Sequence, residues 1–313
     1  MNPEISGSTS TEYQELLSWF RPFGRAVVAF SGGVDSTLVL KAACDALSAA
    51  RVLAVTADSA SLARSELETT KTLASELGVK HVVLPTDELE NPRYRANEGN
   101  RCYFCKSSLY QSLIVYLTQH FGTARDTTVL VDGTNFDDLS DIRPGQKAAA
   151  EAGVRHPLVE SRFSKSMVRD VSRTLGLPTW RKQEMACLAS RIPAGIEVTE
   201  QKLRMIEAAE EALRRDGFSQ FRVRYHELGS IRDRKPGSTP LTLARIEVGR
   251  LDFERACNAE LRSNLSAAAR HAGFDFVTLD LEGYRKGGAI KDNTGIEAAI
   301  EVTRRNTTEH EGS

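Results

Sequence analysis

The sequence contains no uninterrupted apolar run approaching the roughly 18 residues of a membrane span, so no membrane partner is expected. Its first twenty residues, MNPEISGSTSTEYQELLSWF, place no basic residue ahead of an apolar segment. That lacks the pattern of a secretory signal, and the expected setting is cytoplasmic. Neither sign of charge is in excess: 41 Lys and Arg stand against 42 Asp and Glu, a net charge of −1. Long-range attraction to nucleic acid is therefore not expected. Cysteine is scarce, with five in 313 residues, and an odd, sparse set in a reducing compartment is no disulfide framework. It directs attention to metal binding or thiol chemistry.

Two common phosphate-binding fingerprints are also missing. The glycine pair at 32 and 33 fits neither G-x-x-x-x-G-K-[ST] nor G-x-G-x-x-G. What stands there is SGGVDST, residues 31–37, between the apolar run Ala26-Val27-Val28-Ala29-Phe30 and an apolar helical stretch. Adjacent glycines let the backbone turn tightly and bring N–H groups to an anion, and the helix N-terminus that follows favours negative charge. Ser31, Gly32, Gly33, Asp35, Ser36 and Thr37 are the candidate ligand residues, with Asp35 able to hold a metal ion that bridges phosphates. A serine-capped turn without a ligand is the plain alternative, and the flanking strand and helix weigh against it. The segment resembles the SGG-x-DS signature of PP-loop enzymes, which split ATP between its α and β phosphates.

Short β-rich runs at 26–30, 52–57, 80–84 and 128–132 alternate with helical segments such as Leu62 to Leu77. This order predicts an α/β fold, a Rossmann-like parallel sheet covered on both faces. Ligands in such sheets bind beyond the carboxyl ends of the strands. The glycine turn, Ala57-Asp58-Ser59 and Asp132-Gly133-Thr134-Asn135 fall there, as does 93–106 in the long connection after the third strand. A helix from Ser164 to Leu175 closes this domain, and Arg191-Ile192-Pro193-Ala194-Gly195 breaks the periodicity. A helix over Thr199 to Arg215, strands at Phe221–His226 and Leu243–Val248, a helix from Phe253 to Ala272 and a strand Phe274–Leu281 then predict a smaller α+β domain. The expected division is 1–192, 193–290 and a polar mobile tail over 291–313.

Cys44 and Cys257 fall on apolar helical stripes and are expected to fill core space. Cys102 and Cys105 form a CxxC within EGNRCYFCK, and Cys187 follows 82 residues later in MACLASR. Three thiolates suit a soft metal, either zinc with one more ligand or an iron–sulfur cluster. A redox pair, or free thiols with Cys187 unrelated, is the other reading, because one CxxC is a weak signal. In DGTNFDDLSDIRPG, residues 132–145, Asp137, Asp138 and Asp141 offer oxygen ligands for Mg²⁺ or a partner for Arg143, which in turn could neutralise a phosphate. Asp and Asn are also ordinary turn residues. In the second domain, alternation puts Arg222, Arg224 and His226 on one strand face, and Arg245 repeats the pattern on the next strand. This is a sheet face able to hold a phosphate, or a solvated one. Residues 201–255 carry 12 Lys and Arg against 9 Asp and Glu, a local patch and not a nucleic-acid stripe.

With SGGVDS, EGNRCYFCK, DGTNFDDLSDIRPG and CLASRIP in this order, residues 12–285 resemble the LarE family of ATP-dependent sulfur transferases. The resemblance implies an enzyme that adenylates the carboxylates of a pyridinium-3,5-biscarboxylic acid mononucleotide and converts them to thiocarboxylates for the nickel-pincer cofactor of lactate racemase. It implies ATP phosphates on Ser31, Gly32, Gly33, Asp35, Ser36 and Thr37, further contacts from Gly133, Thr134, Asn135, Asp138 and Arg143, and Mg²⁺ with Lys106 spreading the developing charge. Substrate phosphate would fall to Arg222, Arg224 and Arg245. One branch of the family sacrifices a single cysteine, at the position of Cys187. The other holds a [4Fe–4S] cluster on three, and Cys102, Cys105 and Cys187 resemble that branch. Homo-oligomerisation through the second domain, a sulfide donor and a downstream nickel-insertion protein are further implications.

Two other functions compete. A PP-loop tRNA thiolase also pairs this loop with three cysteines, but the chain has no basic stripe for RNA. A non-catalytic nucleotide sensor or iron–sulfur carrier would use the fold as a scaffold. RNA that neither co-purifies nor shifts on a gel separates the enzyme from the first, and pyrophosphate release that depends on the pyridinium substrate separates it from the second.

Overall fold

The computed structural model describes residues 11–121, 127–140, 144–184, 186–228 and 240–285. The expected tail over 291–313 lies outside them. The chain divides into two compact units, one within Met1–Tyr94 and Asn100–Met185, the other within Arg95–Gly99 and Ala186–Ser313.

The first unit opens with α1 (Thr11–Phe20), which buries Tyr13, Leu16 and Phe20 at helical spacing. Next come β1 (Arg25–Ala29), α2 (Val34–Leu47), β2 (Val52–Asp58), α3 (Arg64–Glu76) and β3 (Lys80–Pro85). The short α4 (Pro92–Ala96) and the long α5 (Arg101–Phe121) precede β4 (Thr128–Val131), and α6 (Pro144–Glu151), α7 (Pro157–Glu160) and α8 (Lys165–Thr174) complete the unit. All four strands are parallel, in the order β3-β2-β1-β4. Val27, Val28, Val52, Leu53, Ala54 and Val55 are all buried, so side chains on both faces of the central strands are covered. Continuous apolar runs and not alternating ones are what a doubly covered parallel sheet requires. The chain moves from β1 outward to β3 and then returns to the other side of β1 as β4. The strand order thus reverses between β1 and β4, and that is where such sheets open a ligand crevice.

The second unit contains α9 (Glu200–Arg215), β5 (Phe221–Leu228), β6 (Leu241–Val248), α10 (Phe253–Cys257), α11 (Ala259–His271) and β7 (Phe276–Leu279). Its sheet runs β5-β6-β7, antiparallel then parallel, with α9 packed against β5 and α11. The single helix expected from Phe253 to Ala272 is two. Asn258 adopts extended backbone (φ −58°, ψ 138°), and its side chain accepts from the amides of Glu260 and Leu261, ending one helix and capping the next. The break also overturns the expected core role of Cys257, whose stripe assumed an unbroken helix; the thiol is exposed. Cys44 is half-buried against the main core, and burial pushes its thiol up to about 12.

Candidate active-site crevice and thiol turn

The glycine loop occupies the switch point. Gly32 has φ +67°, a left-handed turn that returns the chain from the end of β1 into the first turn of α2. Ser31 and Ser36 hold the loop closed: their hydroxyls lie 3.0 Å apart, and the Ser31 amide donates to Ser36 Oγ at 3.3 Å. Thr37 is buried and donates from Oγ1 to the Gly33 carbonyl at 2.8 Å. The first-turn amides of a helix have no intrahelical acceptor, so the start of α2 is built to receive an anion.

The loop after β4 closes on it from the other side. A Cβ on Gly133 would stand 2.7 Å from the Ser36 nitrogen, so only glycine admits this approach. Two residues on, Asn135 is fully buried and donates from Nδ2 to Asp35 Oδ1 at 2.9 Å. Burial pushes the Asp35 carboxyl above its usual range; the Asn135 bond and Lys165 oppose that, and Asp138 adds to it. Thr134 donates its amide to Asp132 Oδ1 at 3.0 Å. Asp137 receives the Lys165 amide at 2.8 Å, and Asp138 lies 3.4 Å from Lys165 Nζ, itself 2.6 Å from Glu184. Arg143 lies outside the described residues. Mg²⁺ takes one or two carboxylates plus substrate phosphates, and Asp35 and Asp138 fit that donor set as hard oxygens whose mutual repulsion a cation relieves.

EGNRCYFCK crosses into helix: Cys102 and Cys105 both lie in the first turns of α5, three residues apart and so on one face. Cys102 is exposed and Cys105 half-buried. Lys106 follows, its ammonium 5.7 Å from the Tyr110 ring centroid. Tyr110 and the Asp132 carboxylate hold that ammonium above its usual range against burial. Burial would raise Asp132, but the hydrogen bond from His156 (2.7 Å), the Lys106 charge and the Thr134 amide outweigh it and hold the carboxyl at about 2. Tyr110 also donates to Asp132, at 3.3 Å. The sequence singles out neither Tyr110 nor His156, because both lie in stretches without a motif.

Lys182 is another residue that no pattern marks. Its ammonium donates to the Gly32 carbonyl at 3.0 Å and pairs with Glu66 at 2.7 Å, fixing the outer side of the glycine turn. A cavity of about 370 Å³ lined by Arg25, Arg51 and Lys80 lies at the amino ends of the strands, the edge opposite the glycine loop.

In the second unit Cys187 is exposed and precedes a single helical turn, Leu188–Arg191. Arg191 is 1% exposed and pairs with Glu210 at 2.9 Å. On β5, Arg222 and Arg224 are each 6% exposed, so this face is buried and not solvated. Arg224 is bidentate on Glu247, both bonds 3.1 Å, and Arg245 pairs with Glu247 at 3.2 Å and with Asp280 at 3.3 Å. Arg222 stacks 5.1 Å from the Tyr284 ring centroid; burial and the neighbouring Arg191 lower its affinity for the proton. Asn97, at φ +56°, donates to the carbonyls of Ile192 (3.4 Å), Pro193 (2.7 Å) and Ile196 (3.1 Å), drawing Arg95–Gly99 into this unit.

Among the described residues no three His, Cys, Asp or Glu side chains form a metal-binding group, and no helix is long and apolar enough to cross a membrane. All five cysteines are thiols.

A parallel sheet that carries SGG-x-DS at its switch point, met by an Asn–Asp latch from the neighbouring strand, defines an ATP-dependent enzyme of the PP-loop class. The profile of queuosine biosynthesis protein QueC matches residues 25–101, from β1 to the start of α5. An uncharacterised protein of Synechocystis sp. is 42% identical over 277 residues, covering 88% of this chain and 96% of that protein. The pyridinium-3,5-bisthiocarboxylic acid mononucleotide synthase of Lactiplantibacillus plantarum is 34% identical over 284 residues, 89% of this chain and 93% of that protein. An uncharacterised protein of Methanocaldococcus jannaschii is 25% identical over 261 residues, 83% of this chain and 91% of that protein. The chain belongs to the LarE family, whose activity joins ATP-dependent adenylation to sulfur transfer.

Proposed function

We propose that this enzyme adenylates the carboxylates of pyridinium-3,5-biscarboxylic acid mononucleotide and replaces each adenylate with sulfur, giving the thiocarboxylates of a nickel-pincer cofactor. The similarity to the Lactiplantibacillus plantarum synthase across both units carries the reading. ATP phosphates rest on Ser31, Gly32, Gly33, Ser36 and the start of α2, with Asp35 and Asp138 holding Mg²⁺. A substrate carboxylate attacks the α phosphorus, the bond to the bridging oxygen breaks, and pyrophosphate leaves with that electron pair. Lys106, kept charged by Tyr110 and Asp132, stabilises the developing negative charge. The substrate's own phosphate would fall to Arg222, Arg224 and Arg245, and reaching them requires the Arg224–Glu247 and Arg245–Asp280 pairs that cover this face to open. Sulfur then attacks the acyl adenylate and AMP departs.

Cys102, Cys105 and Cys187 would hold a [4Fe–4S] cluster. Two thiols share a helical face, one exposed and one half-buried, and the third is exposed, so none is consumed by the core as Cys44 is. Bound there, the cluster would supply sulfide repeatedly from an iron that no cysteine ligates. A sulfide donor to recharge it, a nickel-insertion protein downstream and self-association through the second unit belong to the same reading.

The test is anaerobic purification, with iron and sulfide analysis, followed by ATP and the pyridinium substrate. Pyrophosphate and more than one thiocarboxylate per chain are expected. A colourless protein that stops after one sulfur, with Cys187 converted to dehydroalanine by mass, would replace the cluster with a sacrificial cysteine and leave the sulfur-transfer reading standing. Binding of tRNA, with thiolation of the RNA and not of the pyridinium, would overturn both.

A further inference from the structure

Arg191 is the most deeply buried cationic side chain among the described residues of the second unit, and its hydrogen bonds divide into two sets. On one side, Nε and Nη2 form a fork onto Glu210, at 2.9 and 3.0 Å. On the other, Nη1 donates to the carbonyls of Ala186 and of Cys187 (2.8 Å) and reaches Ser190 Oγ at 3.1 Å. Glu210 is anchored in turn, accepting the Val223 amide of β5 at 3.0 Å, between Arg222 and Arg224. Arg224 adds a second tether from the same strand, donating to the Ser190 carbonyl at 3.1 Å. The turn that carries Cys187 is therefore held at both ends by guanidinium groups fixed to the sheet.

A buried ion pair is a poor source of stability; well-packed apolar residues of similar volume commonly do as well or better. What an apolar pair cannot do is donate to consecutive carbonyls. A lysine lacks the planar fork that satisfies a carboxylate with one edge and a backbone turn with the other. The thiol of Cys187 is exposed, so its own side chain is not fixed by packing and its placement depends on the backbone beneath it.

We infer that Arg191 is a positioning residue: it locks the Cys187 turn to β5 and so sets where sulfur chemistry stands relative to Arg222 and Arg224. The inference rests on the sulfur-transfer reading and concerns its second half alone. The ATP-binding residues of adenylation lie in the first unit, so pyrophosphate release at saturating pyridinium substrate does not depend on it.

Two variants test it, Arg191→Lys and the double exchange Arg191→Met with Glu210→Met, the second chosen to remove the pair without stranding a charge. Pyrophosphate release from ATP and the pyridinium mononucleotide is expected to stay within about twofold of the parent, while single-turnover thiocarboxylate formation falls about 10²-fold, the cost of a misplaced reacting group. Amide hydrogen exchange of the apo protein should show protection lost over 186–190 and retained in β5 and β6. A double variant that is stable and transfers sulfur at the parent rate would overturn the inference, as would unchanged protection over 186–190 in both variants. If the parent itself forms pyrophosphate but no thiocarboxylate, the proposed function fails instead, and the exchange measurement alone then decides the role of Arg191.

Discussion

The two units handle charge in opposite ways. In the crevice of the first, the ligand-facing groups are backbone amides, hydroxyls and a half-buried aspartate latched by a neutral asparagine. In the second, two deeply buried arginines, Arg191 and Arg224, pair with Glu210 and Glu247, which are just as inaccessible. A site whose ligand arrives and leaves with each turnover gains from dipoles that cost little when empty. A site that must keep one geometry uses pairs whose separation is expensive, because either charge left alone in the interior is poorly solvated.

The largest effect should come from breaking that second design. Glu210→Ala leaves Arg191 buried without its carboxylate and is expected to cost about 3–5 kcal/mol in urea unfolding, whereas Asp35→Asn in the crevice should change stability by less than about 1 kcal/mol. Their effects on pyrophosphate release reverse: the Asp35 variant loses it, and the folded fraction of the Glu210 variant keeps it. Equal stability costs would erase the contrast.

Gly133→Ala strikes the first design at its tightest point. The new methyl group meets the backbone of Ser36, at 2.7 Å from its nitrogen, so no flexible side chain can yield. The expected cost is about 1–3 kcal/mol of overpacking strain. Displacing the Asn135 latch should raise the KM for ATP about tenfold, equivalent to about 1.4 kcal/mol, a hydrogen bond to a charged group. Thermal unfolding and steady-state kinetics measure the two separately.

The sheet was legible because a doubly covered parallel strand is an uninterrupted apolar run, and four such runs were enough to place the glycine loop and Asp132-Gly133-Thr134-Asn135 at the same edge. The Asn135–Asp35 bond spans a hundred residues, yet shared strand ends already bring its partners near. Lys182, His156 and Asn97 carry no such signal. Each acts through a partner that only the folded chain supplies: Gly32, Asp132 and the carbonyls of Ile192, Pro193 and Ile196. The helix expected over Phe253–Ala272 divides because Asn258 stands in an otherwise helical pattern, where its preference for capping wins over continuity. The sequence leaves the basic strand face open to a phosphate or to solvent, because alternation reports periodicity and says nothing of what covers each face.

The Asp132–His156 pair is intermediate in kind, a buried carboxylate bonded to a partly covered imidazole that carries charge only when protonated. The bond to Asp132 raises the His156 proton affinity, burial opposing, and Asp132 is held at about 2. The histidine contribution is complete below its ordinary value of about 6.5 and fades as pH rises through the higher folded value. The carboxylate contribution is complete above about 3.9 and fades as pH falls toward the folded value. His156→Gln should therefore lower stability by about 1 kcal/mol near pH 5–6 and by less above the folded pKa of His156. Melting curves across pH decide it: a difference that grows with alkalinity would show that the imidazole acts here as a neutral donor.

The smallest effect marks where the contrast should vanish. Ser164 in the first unit and Thr199 in the second each accept a hydrogen bond from the amide three residues on, Met167 and Lys202, both at 3.3 Å. A helix start leaves amides unsatisfied whatever the rest of the unit does, so the cap answers to local geometry alone. Ser164→Ala and Thr199→Ala should each cost about 1 kcal/mol, with hydrogen exchange rising in the first turn of α8 or of α9 and nowhere else. A much larger loss at Thr199 would mean that α9, which carries Glu210, transmits disturbance into the buried arginine cluster, and that the second unit is coupled down to its helix ends. Equal, local losses would confine the difference between the units to their charges.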